Sequence, residues 1–458
     1  MTPNPGKRSR RPNLNGWLRP SNQGPVLPPD GGKIAWLQVL AMALVNFNNF
    51  GLVNSFGVFQ AYYETTLLRT SSPSSIAIVG TLQGALLLIV GVVSGPLFDK
   101  GYFKPALVVA SLGLVFALMM LSLSTQYYQV FLSQGLLLGI CSGLLYIPSI
   151  ALIPVYFKRR RGLALGLATG GGSIGGVIYP IIFRRLVVEV GFGWAVRVLG
   201  FIALVTLGTA VGLSKPIGVR IQRKLLEPSA FRDKAYVMFL FSAFFLLAAM
   251  FVPFFLATAY SIQHLHANAG LSFYLISIMN AAQFFGRLLP AWLADHRHRI
   301  LGPETFQFAG EVFMGILGFA WVGVGSFGDF IPWVIFYGFF SGMTVTLPAV
   351  VLPHICPNLA VYGTRVGMLY ACAGVGLLIS TPVASALNAS SGGFLGAQLW
   401  TGACCLVASL LFVVTGLEIR ERRLRYEMGK RGKRGPRGRE MDMNFFHWDM
   451  VFRIKEKL

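Results

Sequence analysis

About twelve stretches of this chain are apolar over roughly 20 residues, the length that spans a hydrocarbon core as a helix. They fall near positions 34–59, 75–98, 106–124, 130–155, 162–182 and 194–213. After a polar stretch the rest follow, near 236–262, 271–294, 305–325, 331–352, 366–387 and 395–417. Nothing constrains the fold more. In lipid every backbone N–H and C=O must find a partner within the protein, so segments of this length are helical whatever their local propensity. Of the 458 residues only 12% are charged, about half of what a soluble surface carries. The expected class is therefore an all-α integral membrane protein of about twelve transmembrane helices.

The formal charge of +22 would suggest a nucleic-acid partner in a soluble chain. Here the cations sit in short breaks between apolar windows and in the two tails, which is the positive-inside pattern. Lys7, Arg8, Arg10, Arg11 and Arg19 precede the first window, and Lys158 to Arg161 precede the fifth. Lys215 to Lys234 hold six cations, and a basic run extends from Arg420 to Arg439. If each window crosses once, all of these lie on one side, and both termini are cytoplasmic. The plasma membrane is the expected location, and the N-terminal 30 residues are too polar for a cleaved signal peptide. The partners are a lipid bilayer and a small-molecule solute, with no nucleic acid.

The windows divide six and six about residues 214–234. This implies a tail over 1–32, a helical bundle over 33–213, a second over 235–417, and a basic tail over 418–458. The halves echo each other. GPLFDKG (Gly95 to Gly101) closes window 2 and PAWLADHRH (Pro290 to His298) closes window 8. Windows 5 and 11 each start at a cation, Arg161 or Arg365, and carry a proline near the far end, Pro180 or Pro382. Such a repeat is the layout of a carrier built from two parallel halves.

Window 5 is rich in glycine. Gly162, Gly166 and Gly170 recur every fourth residue, which places them on one helix face where a neighbouring backbone can approach closely. The phosphate-loop alternative fails, because GGGSIGG lacks a following lysine and has apolar sequence of bilayer length around it. Cys141, Cys356, Cys372, Cys404 and Cys405 show no metal-ligand or disulfide spacing. His264 and His266 have no further ligands near them in sequence. No cofactor, metal site or catalytic cluster is expected, so an integral-membrane enzyme is the weaker class.

Three stretches also carry a resemblance. DGGKIAW (Asp30 to Trp36) and YFKRRRGLALGLATGGGSIGG (Tyr156 to Gly176) resemble the signatures of the monocarboxylate porter family within the major facilitator superfamily. GPLFDKGYFK (Gly95 to Lys104) is similar to that superfamily's loop between helices 2 and 3, and AWLQV and NSFGVFQAYY are similar to its fungal branch. The resemblance implies two six-helix bundles about a central cavity, with alternating access by rocking of the halves. It further implies a secondary transporter of a small, anionic or monocarboxylate-like solute, or of a vitamin or metabolite. The alternatives are an exporter of a secondary metabolite and a non-transporting receptor of transporter shape. Where animal members carry a lysine late in helix 1 this chain has Asn54. Where they carry an acid four residues before a helix-8 arginine, Gln283 precedes Arg287.

Arg287 is the expected substrate anchor, with Asn54, Gln283 and Asn280 lining the same site. An arginine deep in a span is expensive, and its planar fork suits a carboxylate or phosphate. Glu311, taken as the only carboxylate inside a window, is the expected proton-coupling group. A latch at the cytoplasmic end is expected from Asp99 to Arg365, and by the repeat from Asp295 to the basic block that includes Arg159 and Arg161. A carboxylate is favoured at a helix start by the positive end of the dipole.

Overall fold

The computed structural model describes residues 30–157, 160–215, 227–296, 302–356 and 362–433. Twelve long helical segments run through them. The first six are α1 (Lys33–Leu67), α2 (Pro73–Ile89 continuing as Gly91–Asp99), α3 (Phe103–Leu121), α4 (Tyr127–Tyr156), α5 (Arg161–Glu189) and α6 (Gly191–Leu213). The second six are α7 (Lys234–Gln263), α8 (Tyr274–His296), α9 (Pro303–Gly323), α10 (Phe327–His354), α11 (Tyr362–Ser391) and α12 (Leu395–Lys433). Among the described residues eleven are long and apolar enough to cross a membrane. The exception is α8. Its 23 residues reach about 35 Å at 1.5 Å per residue, but its face carries Asn280, Gln283, Arg287 and Asp295.

Helix packing repeats with an offset of six. In the first half α1 packs on α5, α2 on α4 and α3 on α6; in the second α7 packs on α11, α8 on α10 and α9 on α12. The halves meet along two seams related by the same offset, α5 against α8 and α11 against α2. This is the arrangement that parallel duplicated bundles generate.

The helices are longer than the apolar windows, which moves several residues. The break between windows 5 and 6 shrinks to Val190, so Arg184 and Arg185 lie in the last turns of α5 and Arg197 in α6. Arg197 turns back to bond Ser122 Oγ at 3.3 Å and to cover the Trp194 ring at 5.0 Å. Likewise α1 extends past position 59 to Leu67. Glu311 is therefore not the only carboxylate within a span: Glu64 sits in the last turns of α1, bonded by Gln60 Nε2 at 2.9 Å. Window arithmetic misses this because polar residues are tolerated where a helix nears the interface.

Contacts between the halves close both ends of the molecule. At the end where α5 begins, Asp295 of α8 meets the start of α5, and a methyl placed on Gly367 of α11 would stand 3.4 Å from Val92 Cα of α2. At the opposite end Phe56 of α1 packs on Phe255 of α7 at 5.2 Å. Arg184 donates to the Gly270 carbonyl and covers Phe273 and Tyr274 at 4.8 and 5.4 Å. Two of the helix interruptions fall just before a proline, in α7 at Phe251 before Pro253 and in α10 at Leu347 before Pro348. Proline lacks the N–H that would continue the ladder.

Candidate functional site

Asn280, Gln283 and Arg287 recur at three- and four-residue spacing, so they share one face of α8. That face meets α1 and α5, and the structure brings all four expected substrate residues together there. Asn54 Nδ2 donates to Asn280 Oδ1 at 2.6 Å and to Gln283 Oε1 at 3.1 Å. Ser173 of α5 adds a bond to Gln283 Oε1 at 2.8 Å. Glycine on α5 makes room, since a methyl at Gly176 would lie 2.3 Å from Asn280 Oδ1.

Arg287 is 1% exposed. Its guanidinium donates to the Thr169 carbonyl at 2.8 Å and to Gln283 Oε1 at 3.1 Å, and stands 5.2 Å from the centre of the Phe50 ring. Its Nε has no partner, and neither has Asn54 Oδ1. Among the described residues no carboxylate bonds it, Glu311 included. A charge in such a place is costly unless an anion compensates it.

Beside this cluster the halves meet around a narrow, largely apolar cavity. Phe50, Leu88 and Tyr146 wall it from the first half; Phe251, Pro348 and Tyr370 are among its walls from the second. Both of these proline-marked interruptions thus border it. The four cluster residues are not in its wall: the Phe50 and Tyr146 rings stand between, 5.0 Å apart. Tyr146 also meets Tyr370 edge-on at 5.7 Å across the two halves. The lining is apolar apart from the tyrosine hydroxyls, Thr344 and Gln307. Sequence reasoning missed Tyr146, Tyr370 and Gln307, because an aromatic or amide inside an apolar window gives no sign of the face it occupies.

Glu311 of α9 is fully buried. Gln307, one turn earlier, donates Nε2 to Glu311 Oε1 at 2.7 Å, and Ser242 Oγ of α7 lies 3.3 Å and 3.4 Å from its two oxygens. Through Gln307 the carboxyl group is one residue removed from the cavity.

At the α5 start, Asp295 accepts from the Gly162 and Leu163 backbone N–H groups at 3.0 and 2.7 Å, which satisfies donors that a helix start leaves free. The spaced glycines permit this approach. Methyls on Gly162, Gly166 and Gly170 would meet Ala291 O at 2.5 Å, Arg287 O at 2.8 Å and the Phe284 ring at 2.9 Å. Arg161 is the first residue of α5, whereas Arg159 and the side chain of Asp99 lie outside the described residues. Arg365 is engaged from its own half. It bonds Glu227 at 3.0 and 3.2 Å and Asp233 at 3.2 Å, and Asp233 also takes two bonds from Arg422. The Arg365 bonds hold the Glu227 carboxyl below its usual range. Burial opposes the same effect at Asp233, yet the bonds from Arg422 and the Tyr236 N–H leave it lowered too.

The chain matches the sequence profile described as Major Facilitator Superfamily over residues 35–361. It is 36% identical over 388 residues to the MFS-type transporter dbaD of Emericella nidulans, covering 84% of this chain and 86% of that one. It is 38% identical over 389 residues to the Aspyridones efflux protein apdF of the same organism, covering 84% and 78%. The Agnestins efflux protein AgnL12 of Paecilomyces divaricatus is 33% identical over 390 residues, covering 84% and 88%. With a duplicated twelve-helix architecture and two seams about a central cavity, the chain is a multi-pass membrane protein of transport that belongs to the major facilitator superfamily.

Proposed function

We propose that the protein exports a small, largely apolar aromatic molecule, a secondary metabolite, by alternating access driven by proton exchange. The observation that carries this reading is the aromatic lining of the cavity between the halves, with Phe50, Tyr146, Phe251 and Tyr370 in its wall. A wall of this kind suits a flat hydrophobic body better than a short, charged monocarboxylate. The efflux proteins among the relatives support the same direction of transport. DGGKIAW and the α5 stretch keep the chain in the monocarboxylate porter-like branch, with a plasma-membrane location and cytoplasmic termini as the positive-inside pattern indicates.

In this reading the solute body fills the cavity, and an acidic or enolic group on it reaches Arg287 once the Phe50 and Tyr146 rings shift as the halves rock. Gln283 holds the guanidinium in place, and Asn54, Asn280 and Gln283 offer hydrogen bonds to neutral groups. Glu311 carries the exchanged proton. Its depth inside a span makes this carboxyl group a functional candidate. Asp295 at the Gly162 end is the latch of the closed cytoplasmic face, whereas Arg365 at the start of the other seam is held by Glu227 and Asp233.

A yeast strain expressing the chain and fed a panel of aromatic metabolites tests this. At least one compound is expected to accumulate less in expressing cells than in controls; equal retention of every apolar compound together with uptake of short monocarboxylates would reverse the reading. The latch gives a second expected result. Asp295→Ala, which removes both bonds to the α5 start, should increase labelling of a cysteine placed at Ala291 from the cytoplasmic side several-fold, as a cap is worth about 1 kcal/mol. Unchanged labelling would assign Asp295 to packing alone.

A further inference from the structure

Among the described residues Glu311 is bonded only by groups that carry no charge. The α7 helix offers Ser242, α10 sets Met343 and Thr344 against neighbouring Gly310, and α12 presents the Cys405 thiol. Among the described residues no lysine or arginine bonds it. Gln307 is 1% exposed, lies in the cavity wall, and has one amide end on Glu311 while the other, Oε1, has no partner. That unpartnered acceptor is an oddity for a buried amide, since such groups are nearly always bonded.

The two ends of an amide have almost the same shape and opposite hydrogen-bonding character. An ionised Glu311 can only accept, so Gln307 must turn its NH₂ toward it and leave the carbonyl oxygen for the cavity. When Glu311 takes up one proton from water it becomes a donor. A half-turn of the Gln307 amide then sets Oε1 to accept that O–H, and the NH₂ group now faces the cavity. The Ser242 hydroxyl serves either state because it can donate or accept. From this we infer that Gln307 transmits the protonation state of Glu311 to the bound solute, presenting an acceptor when the carboxyl is ionised and a donor when it is protonated.

The inference rests on the proton-driven export proposed above and names the chemistry of its solute. An aromatic molecule that points a ring or amide N–H, a group that donates and cannot accept, at Gln307 matches the ionised carrier. After protonation the same group faces an N–H, so two donors oppose each other and the solute is expelled. Proton and solute then exclude one another, which is the requirement for exchange. When the proton returns to water the acceptor is restored.

The test is pH-difference infrared spectroscopy on the full chain in lipid nanodiscs, with no added solute. In the wild type the carboxylic-acid carbonyl band of Glu311 and a shift in a glutamine side-chain amide band are expected to titrate together. Glu311→Gln should remove both, and Gln307→Met should remove the amide shift while the carboxyl band persists. A carboxyl band that titrates without any amide shift, or an amide shift that survives in Gln307→Met, overturns the role of Gln307 and leaves proton coupling standing. Absence of any titrating carboxyl band lost in Glu311→Gln overturns the coupling reading itself.

Discussion

Arg287→Met is expected to abolish export while making the protein harder to unfold. The guanidinium is buried with two hydrogen bonds, one unpartnered nitrogen and no carboxylate bonded to it. Ionised groups in such places lower stability by several kcal/mol unless compensated. Methionine fills a similar volume and removes the charge, at the cost of leaving the Thr169 carbonyl and Gln283 Oε1 each one donor short, about 1–3 kcal/mol apiece. The removed charge outweighs these, so the melting temperature in detergent should rise by a few degrees. Loss of an anchor to a charged or strongly polar group is worth about 2–5 kcal/mol, so export should fall by roughly 30-fold or more at equal surface expression. A variant that melts earlier and still exports would make Arg287 a structural residue.

The glycines of α5 are expected to separate into two groups when each is replaced by leucine. Gly171 and Gly175 face α1 within the same half, where a methyl would stand 2.0 Å from Ala43 O and 2.1 Å from Phe47 O. Those are backbone atoms of a helix that packs along the length of α5, and neither helix can move without opening the bundle. Overpacking ordinarily costs about 1–3 kcal/mol, and a backbone clash at this distance exceeds that, so these variants should yield little folded protein. Gly166 faces α8 of the other half, 2.8 Å from Arg287 O for an added methyl. On the alternating-access reading proposed above that seam opens, so Gly166→Leu should fold normally and stay open toward the cytoplasm. Fluorescence-detected size exclusion distinguishes folded from aggregated protein, and cysteine labelling from the cytoplasmic side reports the jammed state. Equal loss of folded protein in both groups would mean that the α5–α8 seam is permanent.

How the sequence exposed this organisation differs from element to element. The twelve spans were readable because hydrocarbon leaves few alternatives to a helix, and the α5 face of Gly162, Gly166 and Gly170 because a period of four survives any detail of packing. Asn280, Gln283 and Arg287 could be grouped since each is polar in an apolar segment and they share one face. Helix ends were less legible: Arg184, Arg185 and Glu64 lie on helices beyond the apolar windows because interfacial turns tolerate charge. The cavity itself could not be read. Phe50, Tyr146 and Tyr370 look like any buried aromatic in sequence, and only the meeting of two halves distant in the chain sets them around one space. The ties of Arg365 to Glu227 and Asp233 were missed for a related reason, as both acids lie in a polar stretch that sequence reading treats as a solvated loop.

Proton-driven export through the central cavity is tested most directly in inside-out membrane vesicles from cells expressing the chain, using a compound found in the efflux screen. With an acidic vesicle interior, the compound is expected to accumulate above its equilibrium level, and the accumulation should vanish with a protonophore or in Glu311→Gln. The same steady level with and without the pH gradient would contradict the account.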